Sequence, residues 1–479
     1  MRPVNLYNTL TKKIDEFHPN VPGKINMYTC GPTVYHFAHI GNLRSYIMED
    51  VLEKYLRYAG YDVKRVMNIT DVGHLTSDAD SGEDKMLKGA KREHKTVMEI
   101  AEFYRKAFFE DCAKLNIKTP DVVEPATNCI PEFIHMIEKL LDDGYAYVAG
   151  GNVYFDTSKL KEYYVLSNQK EEELMVGARD DVEEDENKRS KTDFVLWFTK
   201  SKFDDQELKW DSPWGVGYPG WHIECSAMSC DLLGETFDIH GGGPDLMFPH
   251  HENEIAQSEA ANGKKFVNTW MHSGPLRVNG EKMSKSLGNF WTIRDALKET
   301  NTQYGDKNGN ETLRFFLLRS HYRSPIDFSS ALVEDAHQAL IRLYTALKNT
   351  PSDDNPLDWN EKYAAQFKEA MDDDFNTAQA VAVLFELAKE VNQTKSPELA
   401  RQLKKLGGVL GILQLDPEAF VKGAVDSVDE AAVEALIAER KAAKAAKNWA
   451  RADEIRKELL EKNIVLEDAP GGVTTWRRA

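Results

Sequence analysis

The chain has 479 residues, too many for one hydrophobic core, and its length divides into roughly three or four domains. Its 42% hydrophobic and 29% charged residues are globular material, and no window approaches a membrane-spanning apolar length. Five cysteines make no disulfide framework and predict a reducing cytoplasm. The net charge of −18 excludes a uniformly basic nucleic-acid binder while leaving room for local basic patches.

In chain order, KINMYTC (24–30) and DVKRVMNIT (62–70) are β-like and flank the helical pattern LRSYIMEDVLEKYLRYAG (43–60). With glycines at the turns, this order predicts a βαβ unit opening a parallel sheet. From 120 to 204 the texture changes: short strands in GNVYFDTS (151–158) and DFVLWFTK (193–200) surround a charged run, 170–191, expected to be a solvated, mobile loop. Sheet-like segments return in ETFDIHGGG (235–243) and KKFVNTWMHSG (264–274), as expected of a first domain interrupted by an insertion. After Ser329 the pattern is helical (331–349, 376–391, 396–413), and a linker with few helix signals (414–430) precedes a small last domain.

Two distant segments carry nucleotide chemistry. In HFAHIGN (36–42), His39 and Asn42 fall where a strand hands over to a helix, whose unpaired amides and dipole attract phosphate. Gly41 permits close backbone approach. In GEKMSKSLGN (280–289), Lys282 and Lys285 sit on a glycine-bounded loop and can follow charge onto a leaving pyrophosphate. A lysine pair is usually a solvated surface and a lone histidine a structural group. Both in this order, with the GGGPD turn (241–245) between them, are specific.

The cysteines raise a further possibility. GWHIEC (220–225) supplies Cys225, and FPHHENE (248–254) places His250 and Glu254 at i, i+4 on one helical face. With Cys30 they form a set suited to Zn²⁺. Spacing alone leaves this open against two buried apolar cysteines.

HIGN followed by KMSKS is similar to the paired signatures of class I aminoacyl-tRNA synthetases. The run 220–258 (GWHIECSAMSCDLLGETFDIHGGGPDLMFPHHENEIAQS) and TTWRR (474–478) resemble the cysteinyl-tRNA synthetase family, and the likeness runs nearly end to end. The resemblance implies an α/β fold: a Rossmann-like parallel-sheet catalytic domain (1–119 and 205–329) interrupted by a connective insertion (120–204). A helical bundle (330–413) and a small C-terminal anticodon-binding domain (426–479) follow. It implies activation of L-cysteine with ATP and Mg²⁺ to cysteinyl-adenylate, then transfer of cysteine to tRNA(Cys), by a cytoplasmic, monomeric ligase with no membrane contact.

The same resemblance assigns residues. Cys30, Cys225, His250 and Glu254 match the family's zinc ligands, one Zn²⁺ per subunit, whereas Cys112, Cys129 and Cys230 have no such support and His251 is easily mistaken for His250. Thr33, Thr70, Trp221 and His240 match the amino-acid pocket. His39, Asn42, Lys282 and Lys285 are the expected catalytic groups, with Gly41, Gly242, Gly243, Asp245 and Lys285 binding ATP. Zinc suits the task because serine has nearly the shape of cysteine, and a soft metal separates sulfur from oxygen where size cannot. One departure stands out: Asn42 occupies the place of the class signature's second histidine, where an amide donates but carries no charge. His36 precedes the signature and does not replace that residue.

Two alternatives have different consequences. A related ligase joining activated cysteine to an amino-sugar in mycothiol synthesis would lack the last domain. A non-catalytic, zinc-containing RNA-binding module would have no use for Lys282 and Lys285. In RKAAKAAKNWAR (440–451), Arg440, Lys444, Lys447 and Arg451 are expected on one helical stripe, with Trp476, Arg477 and Arg478 in the last segment. A solvated alanine-rich helix is the plain reading of the stripe alone; with the terminal aromatic and arginines, an RNA contact is favoured.

Overall fold

The computed structural model describes residues 3–72, 90–91, 95–167, 185–200, 207–423, 430–462, 464–469 and 473–478. Most of the charged run expected as a mobile loop lies outside the described residues. The chain forms two compact units, one of Met1–Arg294, Ser320–Phe328 and Ala370–Thr377, the other of Asp295–Arg319, Ser329–Glu369 and Ala378–Ala479.

The first unit is built on the expected βαβ motif. Strand Lys24–Thr29 pairs in parallel with Asp62–Ile69, and helix Ile40–Tyr58 connects them. The helix begins three residues before the LRSYIM pattern because His39 caps it. Val122–Pro125, Phe237–Gly242 and Val267–His272 complete a five-stranded parallel sheet. Across the sheet the order is Val267–His272, Phe237–Gly242, Lys24–Thr29, Asp62–Ile69, Val122–Pro125. Chain order therefore reverses between Lys24–Thr29 and Phe237–Gly242, and ligands of such sheets bind beyond the carboxyl ends of the strands at that switch point. Cys30 and Gly242 come side by side there, since Thr29 pairs with Gly241. Gly31 is required by close approach: a Cβ at this position would lie 1.7 Å from Asn68 O.

Helix Ile40–Tyr58 buries three carboxylates that an amphipathic reading would place outside. Arg65, fully buried on the adjoining strand, pairs with Glu49 at 3.0 Å and Glu53 at 3.4 Å, and Asp50 is met by Lys54 at 2.6 Å. Removing one partner from such a buried set strands a charge.

The insertion carries a four-stranded antiparallel sheet, Ala146–Ala149, Asn152–Phe155, Phe194–Phe198 and Tyr218–Pro219. Its strands run past the expected limit of 204, and Val122–Pro125, expected inside it, belongs to the parallel sheet. That four-residue, half-buried strand has too little periodicity to mark its partner. Phe133, Ile137, Phe155, Trp197 and Met228 share the core beneath the insertion.

The second unit is mainly helical, with helices Ser330–Lys348, Thr377–Thr394 (largely in this unit) and Pro397–Val409 near their expected places. Most of Ile293–Tyr304 and all of Asp306–Leu318 also belong to it, although they precede the expected boundary at 330. The expected linker contains a short helix, Pro417–Lys422. Asp416 caps it by accepting from Ala419 N at 2.8 Å, proline takes its first turn, and Phe420 stacks on Tyr344 at 4.0 Å. Two further helices, Glu430–Ala445 and Trp449–Glu461, and a hairpin, Ile464–Ala469 with Val473–Arg478, enclose Val433, Ile437, Ile455, Leu459, Leu466 and Trp476.

This last arrangement corrects the single basic stripe. The first helix ends at Ala445, Lys447 turns the chain at φ 56°, and Asn448 caps the next helix, so Arg440 and Arg451 lie on different helices. Arg440 is buried in a two-pronged pair with Asp468 at 2.8 and 2.9 Å, joined by Lys444 at 3.0 Å. Arg451 pairs with Glu439 and Glu454, each at 2.8 Å. Trp476 is also buried, its indole N–H donating to Glu434 at 3.0 Å.

Candidate active site

At the switch point, three elements bring together donors that the sequence separates. Cys30 follows the first strand, Cys225 lies in helix Trp221–Leu233, and Glu254 lies in helix Glu252–Asn262 with His250 one turn earlier. The Cys30 and Cys225 sulfurs are 3.8 Å apart, and His250 Nε2 lies 3.4 Å from Cys225 Sγ and 3.0 Å from Glu254 Oε1. Cys30 Sγ lies 3.9 Å from Glu254 Oε1. Donors bound tetrahedrally at zinc distances are separated by about 3.3–3.8 Å, so this set matches a four-coordinate ion closely.

Burial and mutual contact shift all four groups. Burial disfavours the Glu254 carboxylate, yet His240 and His250 overcome it and hold the group at about 2. Burial likewise opposes ionisation of Cys225, but the Cys30 hydrogen bond and His250 outweigh it and lower the thiol. His250, despite burial, is raised to about 10 by Glu254 and Cys225. Cys30 is pushed up by burial and by Cys225. In this dry pocket the protonated His250 ring is the countercharge to Glu254, and a metal cation would take its place by displacing the protons of His250 and Cys30.

A second set, Cys30, His240, His251 and Glu254, overlaps the first. It offers one thiol where the first offers two, and soft sulfur ligands favour zinc. Within it His240 Nε2 meets the second Glu254 oxygen at 2.9 Å, and His251 Nδ1 has a partner outside the set, His272 Nε2 at 2.7 Å. Burial, and then the neighbouring histidines, lower His251 and keep it neutral. Sequence reasoning passed over His222 as well, whose Nδ1 lies 2.9 Å from His250 Nδ1 and orients that ring.

Of the expected pocket residues, Trp221 and His240 touch this cluster, Trp221 stacking on His250 at 4.2 Å, while Thr33 and Thr70 pair with each other in a backbone bridge. Thr70 donates to Glu224 Oε2 at 2.9 Å. His240 is fully buried and stacks on Trp270 at 4.5 Å.

The phosphate-type segment begins a few residues after Cys30. His39 caps helix Ile40–Tyr58: Nδ1 accepts from Asn42 N at 3.2 Å, and Asn42 Oδ1 accepts from His39 N at 3.4 Å. This reciprocal cap explains an amide at position 42. Ile40 N donates to Trp291 O at 3.1 Å, which leaves Gly41 N–H, among the described residues, without a protein acceptor. Burial, and then Lys285, lower His39 to about 4, so the ring is neutral and its Nε2–H remains to serve a ligand. A Cβ on Gly41 would press the His39 ring at 3.0 Å, and one on Gly242 would lie 2.7 Å from His251. Asp245 stands exposed at the same edge, in the short turn Pro244–Leu246. Lys282 ends the hairpin strand Glu281–Lys282, and both it and Lys285 are exposed.

A parallel sheet of this order, with HIGN capping the first helix and a two-lysine loop paired to it, defines the catalytic core of a class I aminoacyl-tRNA synthetase. Residues 16–338 match the family model of the class I (C) tRNA synthetase catalytic domain, 366–414 the DALR domain, and 430–477 the cysteinyl-tRNA ligase anticodon binding domain. Cysteine–tRNA ligases of Ralstonia nicotianae and Chromobacterium violaceum are 50% and 51% identical, across 100% and 99% of this chain and the whole of each relative. Among solved structures, Mycobacterium tuberculosis methionyl-tRNA synthetase with methionyl-adenylate matches 81% of this chain and 89% of its own, with TM-score 0.51 and 14% identity. Thermus thermophilus arginyl-tRNA synthetase matches 85% of each, with TM-score 0.51 and 13% identity. These two share the fold. The chain belongs to the cysteinyl-tRNA synthetase family.

Proposed function

We propose that this cysteine–tRNA ligase selects its amino acid with a zinc ion held by Cys30, Cys225, His250 and Glu254. The observation that carries the reading is the clustering of these four fully or nearly buried donors, all within 4.8 Å of one another, at the switch point of the sheet. Bound zinc would supply a soft Lewis acid that prefers a thiolate to the hydroxyl of serine. Thr33, Thr70, Trp221 and His240 shape the pocket around the amino acid.

The chain's own groups then act on ATP, bound with Mg²⁺. Gly41 N–H and His39 Nε2–H point donors at phosphate from the positive end of a helix. Gly242, Gly243 and Asp245 meet the nucleoside across the same edge. As the cysteine carboxylate attacks the α-phosphorus and pyrophosphate leaves, Lys282 and Lys285 neutralise the charge gathering on the leaving group. No side-chain nucleophile is required, because positioning and charge stabilisation carry the step. The terminal adenosine of tRNA(Cys) then takes the cysteinyl group.

The tRNA contact falls to the last segment of the chain. Arg440 and Trp476 build its framework, and Lys444, Lys447, Arg451, Arg477 and Arg478 supply the basic contacts. The reading also makes the enzyme a cytoplasmic monomer, in keeping with five free cysteines. Among the described residues no helix is long and apolar enough to cross a membrane. The full-length relatives and the matched anticodon-binding domain do not favour an amino-sugar ligase or an inert RNA-binding module. The deciding experiment is exchange of labelled pyrophosphate into ATP with each standard amino acid, before and after zinc removal. Cysteine alone should support exchange, and only with zinc restored; undiminished exchange in zinc-free protein would refute the metal's role.

A further inference from the structure

The lysine loop is tied to the start of the HIGN helix, and one aromatic residue stands at the join. Within the loop, Asn289 Oδ1 accepts from Ser284 N at 2.8 Å, Asn289 Nδ2 donates to Lys282 O at 3.2 Å, and Gly288 N donates to Lys285 O at 3.2 Å. Residues 282–289 are thus closed on themselves. Just downstream the backbone is clamped to the other motif: Ile40 N donates to Trp291 O at 3.1 Å and Ile293 N to Ala38 O at 2.8 Å, around a His39–Thr292 bridge. Phe290 lies between the closed loop and the clamp. Its ring meets His39 edge-on at 5.6 Å and carries the Lys285 ammonium 5.0 Å from its centre.

We propose that Phe290 is a positioning residue for Lys285, holding the ammonium over its ring beside His39 so that the lysine is already near the phosphates when ATP binds. An exposed lysine has much rotamer freedom to lose on meeting a ligand. A cation held on a π face loses part of it beforehand and keeps its charge unneutralised, which a carboxylate partner would not allow. The backbone clamp fixes Phe290 relative to His39, so the ring transmits the position of one motif to the other. The Lys285 charge disfavours protonation of His39, which agrees with this closeness. The proposal rests on the reading of Lys285 as a contact of adenylate formation.

The test measures the single-turnover rate of cysteinyl-adenylate formation and the ATP concentration at half-maximal rate in the zinc-loaded full chain. Phe290→Leu keeps apolar bulk and removes the ring; Phe290→Tyr keeps the ring. Phe290→Leu should lower the rate about 3- to 10-fold, the range of a cation–π contact, with the half-saturating ATP within about twofold. Phe290→Tyr should restore the rate, and Phe290→Leu should add less than about twofold in a Lys285→Ala background. Equal losses in the Leu and Tyr variants, or a full Phe290→Leu effect without Lys285, would overturn the proposal while leaving the role of Lys285 standing. A Lys285→Ala variant with an unchanged rate would overturn the reading of Lys285 itself, and the proposal with it.

Discussion

Replacing Cys225 with serine removes one donor from the set Cys30, Cys225, His250 and Glu254 and leaves the overlapping set Cys30, His240, His251 and Glu254 intact. Serine fits the space, so the change is chemical: a neutral hydroxyl takes the place of a sulfur 3.8 Å from Cys30 Sγ and 3.4 Å from His250 Nε2. Four-donor zinc sites bind with about 10–16 kcal/mol, so one donor in four is worth roughly 2.5–4 kcal/mol. At about 1.4 kcal/mol per factor of ten, zinc affinity should fall on the order of 10²- to 10³-fold. Competition with a chromophoric chelator at pH 7 measures the affinity, and thermal unfolding checks that the fold is retained. Cysteine-dependent pyrophosphate exchange should fall with metal content. Wild-type zinc affinity in Cys225→Ser, together with a large loss in His240→Ala, would show that the metal occupies the other set.

Lys285→Ala should reduce adenylate formation on the order of 10²-fold in single-turnover assays with a much smaller change in ATP affinity, as when a preorganised charge contact is lost. Truncation after residue 426 should spare cysteine-dependent exchange, because every expected catalytic and metal residue lies upstream, while tRNA charging falls steeply. The full chain should also show a steeper salt dependence of tRNA affinity than the truncated one. Burial lowers His337 to about 4, with the Thr312 hydroxyl at 2.9 Å and Tyr304 stacked at 3.9 Å. The unfolded chain therefore takes up this proton first, so the contribution is complete above about pH 6.5 and fades toward 4. Between pH 7 and 5, denaturant titration should show His337→Gln losing on the order of 1–2 kcal/mol less than wild type.

What the sequence determined by itself was local. The alternation of Lys24–Thr29, the helical run after it and the second β-like run are periodic signals within one βαβ unit, and the structure contains all three. HIGN and the lysine loop were legible for the same reason, since a strand-to-helix junction and a glycine-bounded loop each write their chemistry in a few adjacent residues. The zinc-type donors were different. Cys30 and Cys225 are 195 positions apart, so spacing left the metal open, and only the resemblance to a family selected the four residues. Tertiary structure decided the rest. It placed Val122–Pro125 in the central sheet through pairing with Asp62–Ile69, and it buried Glu49 and Glu53 by setting Arg65 against them. It broke the basic stripe at Lys447 and drew Arg440 to Asp468 on the hairpin. In each case the deciding partner lies on another element, and a pattern read along one segment carries no record of the charge or strand that will face it across the fold.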